Sequence, residues 1–136
     1  MAVKPILTTL HSLSDWRTAR RRLATELKER GCSSPDLRAI LLATHEATKN
    51  ALQFSGKRPV YVTLHIEHDR VIVCITDSGE GFDRSRSQPA FCSDPQGSSG
   101  RGLELMHRLM DRVEVVPQQL GCTVRMTKRL TLSASE

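Results

Sequence analysis

The chain has 136 residues, 38% hydrophobic and 26% charged, with a net charge of +5. That length suits one domain with a core of its own, and no apolar run is long enough to span a membrane. The opening MAVKPILTTLHS has too short an apolar stretch for a secretion signal and no cleavage pattern, so a single cytoplasmic domain over residues 1–136 is expected.

"KPILTTLHS" (4–12) reads as a first strand. In "SDWRTARRRLATELKERG" (14–31), Trp16, Ala19, Leu23 and Leu27 recur at helical spacing, with Ser14 as the expected cap and Gly31 as the stop. This helix carries the basic cluster Arg17, Arg20, Arg21 and Arg22. Such a cluster suits a solvated helix face first, and an attraction to nucleic acid or an acidic protein surface second. With 4% aromatic residues, stacking platforms for single-stranded nucleic acid are scarce, and no direct nucleic-acid partner is expected.

A second helix runs through "SSPDLRAILLATHEATKNALQFSG", with Ser34 as cap, Pro35 in the first turn and Gly56 beyond the end. The period then changes to two. Val60, Val62, Leu64 and Ile66 alternate with Tyr61, Thr63, His65 and Glu67, and "RVIVCIT" (70–76) follows a turn at His68-Asp69, which predicts an antiparallel hairpin. Residues 84–99 are rich in Ser, Gly, Pro and Gln without periodicity, which predicts a lid-like loop. A third helix, "GLELMHRLMD", precedes a closing hairpin of "RVEVV" (112–116) and "CTVRMTKRL" (122–130). The tail "TLSASE" is expected to fray.

The pattern predicts an α+β fold, a two-layer sandwich with helices on one face of a sheet. Cys32, Cys74, Cys92 and Cys122 form no C-x-x-C pair and have no histidines spaced around them as zinc ligands. Reduced cysteines and no zinc are expected.

Three motifs carry chemistry. "DSGEGFD" (77–83) sets Asp77, Gly79 and Gly81 as D-x-G-x-G at a strand end. Its glycines permit close backbone approach and positive φ, and its aspartate suits an exocyclic amine such as that of adenine. Alone it reads more readily as an Asp-Gly turn. "SSGRGLELM" places Gly100 and Gly102 at a helix start, where free N–H groups bind phosphate. In "HEATKNAL" (45–52), Glu46 and Asn50 stand four apart on one helix face. An amide oxygen suits Mg²⁺, which binds few protein groups besides phosphate and water. A carboxylate one turn away suits deprotonation of a hydroxyl attacking a γ-phosphate.

In this order, E-x-x-x-N, D-x-G-x-G, a lid and G-x-G-L entering a helix, the chain resembles the GHKL ATPase superfamily. Over nearly its whole length it is similar to the anti-sigma-factor serine/threonine kinases of bacterial partner-switching systems, the RsbW/SpoIIAB type. The resemblance implies a Bergerat-type sandwich with a mixed, mostly antiparallel sheet. It implies Mg·ATP in a cleft, a homodimer, sequestration of a sigma factor, and phosphorylation of a STAS-domain anti-anti-sigma factor. It implies Glu46 as catalytic base, Asn50 as Mg²⁺ ligand, Asp77 at adenine, Gly79 and Gly81 shaping the pocket, and Gly100, Arg101 and Gly102 by the phosphates. The family often has threonine after the glycine of the last hairpin, holding adenine with the aspartate. Here Cys122 stands there, with Thr123 beside it, and Gln53 and Phe54 lie where relatives often carry histidine. A thiol is a weak donor. The other functional class open to such a chain is an ATP-gated binding module that transfers no phosphate.

Overall fold

A computed structural model of the chain describes residues 5–55, 58–77, 98–117 and 121–131, with the backbone alone at 98–101. Eight elements follow in order: β1 (Ile6–Leu10), α1 (Leu13–Glu29), α2 (Ser34–Ser55), β2 (Val60–Glu67), β3 (Arg70–Asp77), α3 (Ser98–Leu109), β4 (Arg112–Pro117) and β5 (Cys122–Arg129). The strands form one open sheet in the order β1-β2-β3-β5-β4. Every pairing among them is antiparallel.

Period-two patterning builds the core. Val62 pairs with Ile75, which pairs with Val124, and Leu64 pairs with Val73, which pairs with Met126. All six are buried, as one face of a pleated sheet must be when helices cover it. Against them lies α2, which packs on β2, β3 and β5 and also on α1 and α3. Ala43, Ala47 and Ala51 recur every four residues along α2 and are all buried. Their small side chains let this helix lie close to the strands. Helix α2 is therefore the hub on which the other helices are placed.

The caps differ from those expected. Ser12, not Ser14, starts α1: its Oγ accepts from the Asp15 N–H at 3.2 Å. Asp15 Oδ2 in turn accepts from the His11 N–H at 2.8 Å, a reciprocal arrangement like a capping box. Ser33 rather than Ser34 caps α2, its carbonyl and Oγ accepting from the N–H groups of Leu37 and Asp36. Neighbouring serines are equally good caps in isolation, and tertiary packing selects between them. Gly31, at φ +86°, ends α1, while Gly56 lies outside the described residues. At the other terminus, the Thr131 N–H donates to Asp36 Oδ2 at 2.7 Å, so the beginning of the tail is tied to α2.

The cysteines depart from the fully reduced state that their spacing suggested. Cys32 and Cys74 are free thiols, but Cys122 is disulfide-bonded. Pairing depends on approach through space, which separation along a chain does not reveal. No helix among the described residues is long and apolar enough to cross a membrane.

Candidate functional site

Helix α2 carries the first part of the site. Asn50 is 3% exposed, and Glu46, one turn earlier, keeps 16% of its side chain open. Both face the first turns of α3 at Gly102. A Cβ added to Gly102 would stand 2.9 Å from Asn50 Nδ2 and 3.2 Å from Glu46 Oε1. Only a hydrogen fits there without displacing the two polar groups. Helix α3 begins at Ser98, so the N–H groups at 98–101 have no carbonyl ahead of them within the helix. The second turn of α3, at Gly102, thus lies against a carboxylate and a carboxamide.

The carboxamide retains unused bonding capacity. Asn50 Nδ2 is buried and has no hydrogen-bond partner among the described residues, and the same holds for Thr48 Oγ1 on α2. A buried amide left without a partner costs free energy unless a ligand satisfies it.

The second part lies at one end of the sheet. Asp77, 2% exposed, is the last residue of β3 and pairs with Val60 on one side and Cys122 on the other. Gly121 sits beside it at φ +103°, and a Cβ there would run into the Asp77 carbonyl. Both the left-handed backbone and the close approach demand glycine. Cys122 is 1% exposed on the core face. Thr123 stands on the opposite face, its hydroxyl 3.0 Å from that of Thr76. This separates Thr123 from the group around Asp77, as strand alternation requires.

The structure therefore brings Glu46, Asn50 and Gly102 together, and it joins Asp77 to Cys122. The two groups ride on α2 and β3, which pack against each other. Gly100 and Arg101 lie in the first turn of α3. Gly79, Gly81 and most of the expected lid fall outside the described residues. Gly121 is missing from the residues singled out by sequence. Its signal was present, a glycine between a turn and a strand, but its contact with Asp77 is not local.

A different surface opens between α1 and α2. It is a cleft of about 500 Å³ floored by Trp16 and Leu41, with Leu13 and Leu42 at its edges and Arg17, Arg20 and Arg38 around it. Trp16 is buried, and its Nε1–H donates to His45 Nδ1 at 3.0 Å. Cys32 lies elsewhere, between α1 and α2. Burial pushes its thiol up, Asp36 adds to the rise, and Lys128 opposes it.

Residues 11–128 match the histidine kinase-like ATPase domain. The chain belongs to this family. Among its relatives, the serine-protein kinase RsbW of Bacillus velezensis is 34% identical over 111 residues, covering 74% of this chain and 69% of that protein. The RsbW of Bacillus subtilis is 32% identical over the same span. The anti-sigma F factor of Bacillus thuringiensis is 31% identical over 124 residues, covering 85% of this chain and 84% of its own. A solved structure of RsbU and RsbW domains from Mycobacterium tuberculosis superposes with a TM-score of 0.71 at 22% identity. That match covers 94% of this chain but 33% of the solved one, and it bears on the fold alone. A histidine kinase-like ATPase domain implies ATP binding.

Proposed function

We propose that this protein is a cytoplasmic anti-sigma factor with protein serine/threonine kinase activity. It binds Mg·ATP, sequesters a sigma factor and phosphorylates a STAS-domain anti-anti-sigma factor. The observation that carries the reading is the junction of Glu46, Asn50 and Gly102, where a carboxylate and an amide meet the early turns of α3. The RsbW and anti-sigma F relatives support it.

In this reading the acceptor hydroxyl gives its proton to the Glu46 carboxylate as its oxygen forms the bond to the γ-phosphorus and ADP departs. The Asn50 carboxamide, buried on α2, would hold Mg²⁺ through its oxygen, an oxygen donor being what that cation takes. Bound there, the cation would neutralise charge on the phosphate oxygens. Asp77 accepts from the adenine amine, Gly79 and Gly81 shape the base pocket, and Gly100, Arg101 and Gly102 lie by the phosphates. Cys122 presents sulfur where relatives place a hydroxyl. Residues 1–136 act as a single domain with a lid near 84–99, and the active form is a homodimer.

The α1–α2 cleft is the proposed docking surface for the sigma factor. Arg17, Arg20 and Arg38 line it and form no ion pair among the described residues. Leu13 is 41% and Leu42 44% exposed. Apolar anchors ringed by unpaired arginines suit a carboxylate-bearing segment with an apolar face.

The test is transfer of labelled γ-phosphate from Mg·ATP to the source organism's STAS-domain proteins, with Glu46→Ala alongside. Phosphoserine or phosphothreonine on one of them is expected, with a rate reduced on the order of 10² to 10⁴ in the variant and ATP affinity kept within about twofold. ATP binding without any transfer would instead favour a nucleotide-gated binding module.

A further inference from the structure

Glu46, Lys49 and Asn50 occupy successive positions of one α2 face, three and four residues apart. The Lys49 ammonium lies 3.4 Å from Glu46 Oε1. It is the one hydrogen-bond or ion-pair partner that Glu46 has among the described residues. The same oxygen faces Gly102. Lys49 is 49% exposed at the side chain and Glu46 16%, so the ammonium approaches the carboxylate from the solvent side.

A glutamate has three rotatable bonds, and one that must meet a hydroxyl within hydrogen-bond reach gains little from being merely nearby. We propose that Lys49 is a positioning residue for phosphotransfer. Its ammonium holds Oε1 of Glu46 on the Gly102 side and leaves the second oxygen free to take the acceptor's proton. A half-exposed pair of this kind contributes little to folding, so its loss registers in turnover rather than in stability. The inference rests on the kinase reading of Glu46.

The test measures transfer from labelled Mg·ATP to the STAS-domain acceptor by the full chain carrying Lys49→Gln, Lys49→Arg, Glu46→Ala, and Lys49→Gln with Glu46→Ala. Lys49→Gln is expected to lower kcat about tenfold, the scale of a modest misplacement of a reacting group. KM for Mg·ATP should stay within about twofold and the melting temperature should not move. Lys49→Arg should restore most of the rate. Because Lys49 acts through Glu46, Lys49→Gln should cost nothing further once Glu46 is alanine. Wild-type kcat in Lys49→Gln would overturn the role. So would a loss that persists in the Glu46→Ala background, since Lys49 would then act on nucleotide or acceptor directly. A wild-type chain that binds ATP and transfers no phosphate would overturn the kinase reading, and the role of Lys49 with it.

Discussion

Helix α2 has a neighbour on either side, and the two junctions are built differently. Toward α3 the approach is so close that a single added methyl at Gly102 would strike Asn50 and Glu46. Toward α1 the chains carry tryptophan, leucine and arginine, and a cleft of about 500 Å³ stays open. Glycine lets a helix bring its backbone up to a neighbour's polar groups, whereas long side chains hold two helices apart at their rims. The tight junction sets a carboxylate and a carboxamide against a helix backbone. The loose one offers area, apolar anchors and arginines, which is what a macromolecular partner needs. In the proposed reading, one helix would thereby serve two functions on separate surfaces.

The sharpest way to break the contrast is to fill the tight junction. Gly102→Ala places a Cβ against the Asn50 amide and the Glu46 carboxylate, and misplacing reacting groups by about 1 Å costs on the order of 10²-fold in rate. Both displaced atoms are side-chain ends, and alanine favours a helix over glycine by about 1 kcal/mol. Phosphotransfer should therefore fall by roughly 10²-fold while the melting temperature holds or rises. A variant that melts lower and keeps its rate would mean that Gly102 serves packing alone.

The open junction should respond in the opposite sense. Arg20→Glu combined with Arg38→Glu reverses the charge of the cleft, and sigma-factor affinity measured by titration calorimetry should weaken at least tenfold, more at low salt than at high. ATP affinity should be unchanged, because both arginines line the α1–α2 cleft. Equal weakening of both ligands would erase the division between the two junctions.

The smallest effect is expected at the floor of the cleft. Trp16→Phe removes the indole N–H that His45 accepts while keeping an aromatic body in the core. The loss is about 1 kcal/mol, as for a typical intramolecular hydrogen bond, or roughly 4 °C in melting temperature. Sigma binding should change less than in the arginine variants.

Much of this arrangement is legible in the chain because it follows local periods. The alternation from Val60 to Glu67 and the helical spacing of Trp16, Ala19, Leu23 and Leu27 are dictated by 2.0- and 3.6-residue repeats, and the elements formed accordingly. The spacing of Glu46 and Asn50 states that they share a face whatever the rest of the fold does. Caps were less legible: Ser12 and Ser14, like Ser33 and Ser34, compete on equal local terms. The disulfide at Cys122 was illegible, since its spacing matched no pairing pattern.

By itself, the sequence determined which residues alternate, which recur at helical spacing and which polar groups stand one turn apart, because these follow from bond geometry within a few residues. Tertiary structure alone decided that Gly102 meets Asn50 and Glu46 and that Gly121 meets Asp77, and it set beside Gly102 the Glu46 oxygen that Lys49 pairs with. The first two contacts join segments 52 and 44 residues apart in the chain, where packing of α2 against α3 and β3 against β5 sets the distance. The third joins neighbours on one turn. There helical spacing brings the two side chains within reach of each other, and Lys49 lies 3.4 Å from the Glu46 oxygen that faces Gly102.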